Sequence, residues 1–312
     1  MTDLRNDMAK IIGIQTPDPT SLIEYRVLES TKEDGYTRQL IEYDSNGDPV
    51  IAFLLLPEIL DNNPGILINH QHNSERHWGK SEVCGLAGNP LQAFGPALAK
   101  KGFVVLAPDS LCFEDRRIGA RGIEPQPGDL DFLQHYNEMC YRLVKGEYLM
   151  KKVLEDAMNG ITLLSNLPYV DNSRIGTLGH SYGGTTVLFL SAFDERIVYS
   201  CASGSACTYA DRMRNHVKIE NASVIPGFNS KYEIYDLVSC IAPRKLLIVS
   251  AEEDKFSRDA SYVVEMASGA YAKLGVSENL QHKKYPGNHP LTQERFDYIV
   301  NWVMANGNPA GK

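Results

Sequence analysis

Short apolar runs punctuate this chain, and they are continuous rather than alternating. "VIAFLLL" (50–56), "GILIN" (65–69), "FVVLA" (103–107), "RIGTL" (174–178), "IVYSCA" (197–202) and "KLLIVSA" (245–251) each read as a strand. A strand apolar at successive positions is covered on both faces, as in a parallel sheet. Between these runs apolar residues recur every three or four positions. In 148–166, Leu149, Val153, Ala157, Ile161 and Leu164 form one stripe, the mark of a helix with one buried face. Segments 91–101, 182–193, 261–274 and 291–305 follow the same spacing. Strand and helix therefore alternate from residue 65 onward. The pattern predicts an α/β fold: a mostly parallel central sheet, right-handed crossovers, and helices on both faces.

Three segments interrupt the alternation. Residues 1–35 read as a polar leader with one short helix. Residues 115–147 hold "RGIEPQPGD" and the aromatic-rich "DFLQHYNEMCY"; residues 204–238 hold "YADRMRN" and "PGFNSKYEIY" without a strand pattern. Both later segments follow predicted strands, which places them at the C-terminal sheet edge, where α/β active sites form. They read as cap insertions, with ordinary surface loops as the alternative. No repeat, low-complexity tract or linker divides the chain, so 1–312 is read as a single domain.

Composition narrows the partners. The 312 residues can bury a sizeable core, and a net charge of -8 argues against nucleic acid. No stretch approaches the roughly 18 apolar residues of a membrane span. The opening "MTDLRNDMAK" lacks the apolar centre of a signal peptide. Six cysteines lie scattered without CxxC spacing, as free thiols in a reducing compartment would. The expectation is a cytoplasmic protein with no membrane partner; a homodimer is left open.

Candidate chemistry concentrates at "IGTLGHSYGG", residues 175–184. A predicted strand ends at Leu178 and a predicted helix begins near Tyr182, the setting of a nucleophile elbow. Gly179 and Gly183 flank Ser181 where larger residues would collide. A plain strand-to-helix turn is the alternative. A serine nucleophile needs a base, and the base needs an orienting acid, in the order Ser, acid, His on this fold. Three histidines follow Ser181: His216, His282 and His289. His282 falls inside "LQHKKY", which reads as the last strand, and His216 lies in the second insertion. His289 follows "YPGN" in a loop before the terminal helix, where a base can reach the elbow. After the strand ending at Ala251, "EED" offers Glu252, Glu253 and Asp254. Asp254 is favoured because the loop must leave the strand before turning back; the glutamates remain rivals. The oxyanion donors are assigned to the backbone N–H of Tyr182, at a helix start, and of His72, in the loop after the 65–69 strand.

With these residues placed, the chain resembles the α/β-hydrolase superfamily over residues 35–306. Within it the chain is similar to the serine-dependent branch of dienelactone hydrolase-like proteins, near acetyl xylan esterase-like enzymes. The resemblance rests on "GHSYGG", "IAPRKLLIVSAEED" and "YPGNH", and on "HQHNSERHWGKSE" and "GFVVLAPDSLCFEDR". It implies Ser181 as nucleophile, Asp254 as acid and His289 as base, with the His72 and Tyr182 amides as oxyanion donors. It implies a carboxylic ester hydrolase acting through an acyl-enzyme on a small-molecule ester, without a cofactor. Dienelactone hydrolases carry cysteine at the nucleophile position, so the lactone substrate does not transfer. The usual "HG" after the third strand of the family is His70-Gln71 here.

Other readings compete. A peptidase or thioesterase would use the same triad. A metal-dependent hydrolase could use His70-x-His72 with Glu75 and His77, but no later segment supplies further histidine ligands. A binding protein on a hydrolase scaffold would be expected to lose a triad member. The substrate pocket is assigned to Gln71, Arg116, Tyr136 and Tyr209, with Phe132, Tyr141, Phe228, Tyr232, Arg117 and Arg212 as further candidates from the two insertions.

Overall fold

The computed structural model describes residues 2–307 apart from 16, 17, 19 and 73. In chain order the elements are α1 (Thr2–Ile12), β1 (Tyr25–Glu33), β2 (Tyr36–Asp44), β3 (Pro49–Pro57), β4 (Asn63–Asn69), α2 (Lys80–Val83), α3 (Phe94–Ala99), β5 (Val104–Pro108), α4 (Leu130–Val144) and α5 (Leu149–Asn166). They continue with β6 (Val170–His180), α6 (Tyr182–Phe193), β7 (Tyr199–Ser203), α7 (Tyr209–Arg214), α8 (Ile234–Ile241), β8 (Lys245–Ala251), α9 (Ala260–Lys273), β9 (Leu280–Tyr285) and α10 (Gln293–Gly307). Among the described residues the strands form one nine-stranded sheet in the order β1-β2-β3-β5-β4-β6-β7-β8-β9. Pairings from β5 through β9 are parallel, and β1, β2, β3 and β5 are joined antiparallel. This is the α/β-hydrolase arrangement.

The continuous apolar runs have a direct cause. In β5, Val104 and Leu106 enter one core while Val105 and Ala107 enter the other; in β8, Leu246 and Ile248 oppose Leu247 and Val249. Helices α1, α5, α6, α8 and α9 cover the first face, and α3 and α10 cover the second. Each strand residue thus leaves water whichever way it points, so alternation disappears.

The polar leader is corrected. Its helix α1 buries Met8 and Ile12 in the main core, and residues 25–33 form β1, paired with β2 from Tyr25↔Tyr43 to Glu33↔Tyr36. An edge strand has one neighbour and no second core face, and β1 is exposed at most positions. It therefore carries no apolar run. The second insertion is also more than a cover, because α8 buries Ile234, Leu237, Val238 and Ile241. No helix among the described residues is long and apolar enough to cross a membrane.

Below the sheet's C-terminal edge sits a buried ion cluster. The Lys80 ammonium lies 2.8 Å from Asp109, 2.5 Å from Glu114 and 2.5 Å from Asp115. Burial opposes its charge, and the three carboxylates outweigh burial and hold it protonated. Asp109 also accepts the Lys80 backbone N–H at 2.8 Å, and Glu114 accepts those of Gly79 and Ser81 at 2.9 Å. The cluster ties the loop after β4 to the loop after β5. Lys80→Met is predicted to strand these carboxylates and cost about 3–5 kcal/mol of unfolding free energy. Urea denaturation checks this, and an unchanged midpoint would contradict it.

Candidate active site

Ser181 sits between β6 and α6 at φ 57, ψ −118, a region costly for a residue with a Cβ. The chain reaches this turn because its neighbours are glycines. A Cβ on Gly179 would lie 2.3 Å from the carbonyl carbon of Gly183, and a Cβ on Gly183 would lie 2.0 Å from the carbonyl oxygen of Asn69. Ser181 N–H donates to the Ser203 carbonyl at 2.8 Å, which fixes the elbow to the end of β7.

His289 lies in the loop between β9 and α10. Its Nε2 is 2.8 Å from the Ser181 hydroxyl, and its Nδ1 is 3.0 Å from an Asp254 carboxylate oxygen. The ring can therefore donate through Nδ1–H to Asp254 while Nε2 accepts from Ser181. Asp254 lies in the loop after β8, buried, and accepts the Phe256 N–H at 2.9 Å and the Ser257 hydroxyl at 2.6 Å. Burial pushes its carboxyl up, but the His289, Ser257 and Phe256 donors outweigh burial and hold it below the ordinary value. Glu252 and Glu253 are exposed. His282 bonds Ser250 at 2.8 Å along the neighbouring strand, and His216 is exposed. Of the three acids and three histidines considered, Asp254 and His289 are the pair brought to Ser181.

Two supporting residues were not among the sequence candidates. Arg295 on α10 donates to the carbonyls of Pro286, Asn288 and Pro290 at 2.6, 2.6 and 3.1 Å, so it holds the His289 loop by its backbone. His180 is buried with its ring centre 4.8 Å from that of His289, and its Nδ1 is 2.9 Å from the Ser203 hydroxyl. Burial, then the neighbouring His289 ring, pushes His180 well below the ordinary histidine value, so it stays neutral there.

On the opposite wall, the loop after β4 carries His70 and His72. His70 Nδ1–H donates to the Gln71 carbonyl at 2.7 Å, while Nε2 accepts the Ser110 N–H at 3.0 Å. Burial pushes its pKa down to about 4. His72 Nδ1 accepts the Ser74 N–H at 2.9 Å, which leaves Nε2–H to meet the Glu220 carboxylate. Burial pushes the Glu220 carboxyl up, but His72, His135 and Arg76 together hold it well below the usual range. His77 pairs with Glu75 at 3.5 Å. Each histidine of this stretch has a partner of its own, and the segment braces the loop.

Ser181 and His289 open into a cleft of about 260 Å³, shared with His72, Ser74, Tyr182 and Thr185. Gly204, Arg212, Lys218 and Glu220 from the second insertion, and Lys255 and Phe256 after β8, complete the lining. The two expected oxyanion residues, His72 and Tyr182, thus flank the same space as the hydroxyl. Tyr182 is fixed by its own side chain, whose hydroxyl lies 2.8 Å from that of Ser110 and whose ring stacks on Phe113 at 5.7 Å.

The pocket residues expected from sequence fall elsewhere. Gln71 turns inward and donates to Glu82 at 3.0 Å. Arg116 is buried between Asp156 at 2.8 Å and Asp48 at 2.7 Å, because a fully desolvated guanidinium needs carboxylates more than a cleft does. Arg117 likewise pairs with Asp131 at 2.8 Å. Tyr136 is exposed on α4 beside Phe132. Tyr209 is buried, its hydroxyl donating to the Ser223 carbonyl at 2.8 Å, and it lines a small cavity behind the cleft. Arg212 alone of the wider candidates lines the cleft itself.

Comparison with known proteins agrees with this frame. Residues 134–255 match the model of the prolyl oligopeptidase family, a span that includes Ser181 and Asp254 and ends before His289. YtaP of Bacillus subtilis (strain 168), a provisionally named hydrolase, is 26% identical over 318 residues, covering 96% of this chain and 98% of its own. A carbohydrate esterase from an unknown prokaryotic organism is 29% identical over 147 residues, 41% of this chain and 34% of that protein. Among solved structures, a provisionally assigned acetyl xylan esterase of Bacteroides fragilis NCTC 9343 superposes with a TM-score of 0.75 at 17% identity, covering 91% of this chain and 74% of that one.

Three outcomes follow from the geometry. Gly183→Ala is predicted to push α6 off the Asn69 carbonyl, costing about 3 kcal/mol in a thermal or urea melt; an unperturbed melt would show that the crossing is slack. Asp254→Asn should lower kcat about 10⁴-fold with little change in KM, whereas Glu253→Gln should stay within about tenfold. The reverse ranking would move the acid one residue back. A depressed carboxyl contributes its stability above the unfolded value of about 3.9 and loses it as pH falls through the lower folded value. The unfolding free-energy gap between wild type and Asp254→Asn should therefore shrink below about pH 4; a gap persisting undiminished at about pH 2 would contradict the assignment.

Proposed function

We propose that this chain, an α/β-hydrolase by fold, is a serine-dependent carboxylic ester hydrolase. One observation carries the reading: a hydrogen-bonded line from Asp254 through His289 ends on Ser181 at 2.8 Å, with the serine held out on a strained turn. The Ser181 oxygen attacks the ester carbonyl as His289 Nε2 takes its proton, and Asp254 keeps the imidazole in the tautomer that can do so. The carbonyl oxygen becomes negative facing the Tyr182 and His72 amides. Collapse expels the alcohol, protonated by His289, and leaves an acyl-enzyme. Water then attacks with His289 again as base, releasing the acid and restoring the hydroxyl.

Small-molecule or carbohydrate esters are the favoured substrates. Support comes from the esterase names of the carbohydrate esterase relative and of the acetyl xylan esterase structure. A finer placement beside serine-dependent dienelactone hydrolase-like proteins rests on "GHSYGG" and "YPGNH". A peptidase is the second reading, favoured by the prolyl oligopeptidase family match over residues 134–255.

A panel of acetylated sugars, 4-nitrophenyl acetate, a thioester and an aminoacyl anilide, run beside Ser181→Ala, separates these. Ester turnover should lead the panel and fall about 10⁴–10⁶-fold in the variant, with an unchanged melting temperature. Near-normal turnover by folded Ser181→Ala would overturn the mechanism, and anilide turnover above ester turnover would favour the peptidase.

A further inference from the structure

Three cations line the Ser181 cleft, and none has a carboxylate within ion-pair reach among the described residues. Arg212 donates to two carbonyls, those of Lys218 at 3.1 Å and Phe256 at 3.3 Å. Lys218 lies over the Phe132 ring at 5.1 Å, and Lys255 over the Phe256 ring at 5.1 Å. The single acid in the lining, Glu220, is taken by His72 on one side and faces His135 and Arg76 from behind. Acids of the neighbouring segments are engaged as well: Asp254 by His289 at 3.0 Å, Asp211 by Asn215 at 2.9 Å, and Asp259 by the Thr208 hydroxyl at 2.6 Å.

Scarcity of acid does not explain this. The chain holds 39 acidic residues against 31 lysines and arginines, and it supplies carboxylates to Lys80, Arg116, Arg117, Lys152 and Arg142. Uncompensated cations in a concave wall give the cleft a positive potential within an acidic protein. The carbonyls fix the Arg212 guanidinium before anything binds, which lowers the cost of ordering it on a ligand. A planar guanidinium with free N–H groups matches a carboxylate, and the two lysines add mobile charge at the rim.

We infer that the ester hydrolysed here carries a free carboxylate, in its acyl or its alcohol half, bound by Arg212, Lys218 and Lys255. The inference rests on the ester hydrolase reading and narrows its substrate class.

Matched pairs of esters test it. For the acyl half, 4-nitrophenyl hemisuccinate is compared with its methyl-capped diester; for the alcohol half, acetylated glucuronic acid with acetylated glucose. In at least one pair the anionic member should show a kcat/KM about tenfold or more above the neutral one, with the ratio falling as salt rises. The same ratio should drop toward unity in Arg212→Gln and in the double variant Lys218→Gln/Lys255→Gln, whose lysines are exposed and whose folding is therefore safe. Lys245→Gln, exposed at the opposite end of β8, removes the same charge from the molecule and should leave the ratio unchanged. A ratio near one in both pairs, or an equal loss in Lys245→Gln, overturns the inference. Ser181→Ala is run on every ester: its inactivity with no anionic preference would remove this inference alone, and its retained activity would remove the serine mechanism beneath it.

Discussion

The site depends on one close crossing, where the start of α6 passes the carbonyl of Asn69 with no room for a side chain at Gly183. Because β4 pairs with β6 so that Asn69 lies opposite Gly179, the end of β4 meets the elbow directly. Asn69 reinforces this by donating to the Thr177 hydroxyl at 3.0 Å. The crossing sets Ser181 in its strained conformation and also brings the His70–His72 loop beside it. Nucleophile and oxyanion wall are therefore placed by the same contact. A third strand end closes the arrangement: a Cβ on Gly204, after β7, would lie 2.7 Å from His180 and 3.1 Å from His289. Three loops are packed to backbone distance, and the hydroxyl is where they meet.

Around this crossing the protein manages charge by pairing it in place. Lys80 stitches two loops with three carboxylates, and Arg295 holds the base's loop through carbonyls. Glu220 fixes the ring of His72. Each ties its own segment to another: Lys80 the loop after β4 to the loop after β5, Arg295 helix α10 to the loop before it, and Glu220 the second insertion to the loop after β4. This favours one arrangement of those segments over its alternatives. Arg212, Lys218 and Lys255 face the cleft without such a carboxylate among the described residues, and a substrate can complete them there.

Much of the frame was legible in the sequence, for physical reasons that also mark its limits. The central strands announced themselves because both faces are buried, and α5 because its spacing meets a core. Helix α6, expected to bury one stripe, is instead buried at every position, since it runs beneath other helices as well as on the sheet. β1 and β2 did not announce themselves, since an edge hairpin needs no second apolar face. Its signal was the Asp34-Gly35 turn, where Gly35 takes φ +81 between paired strands. The elbow was readable because steric crowding dictates glycine at fixed offsets. Pocket residues were not, because whether an arginine reaches a cleft or a buried aspartate depends on long-range neighbours. Arg116 found Asp156 and Asp48, while Arg212 did not find an acid. Lys255 and Phe256 were the nearest thing to a missed local signal, being adjacent to Asp254 on a loop that must pass the base.

The central claim is that Ser181 bonds covalently to the acyl group. Intact-mass measurement after treatment with diethyl 4-nitrophenyl phosphate, followed by peptide mapping, tests it most directly. The account predicts one diethylphosphoryl adduct per chain, on Ser181, with ester hydrolysis lost in proportion. Modification at another residue, or full hydrolysis by a protein stoichiometrically modified at Ser181, would contradict it.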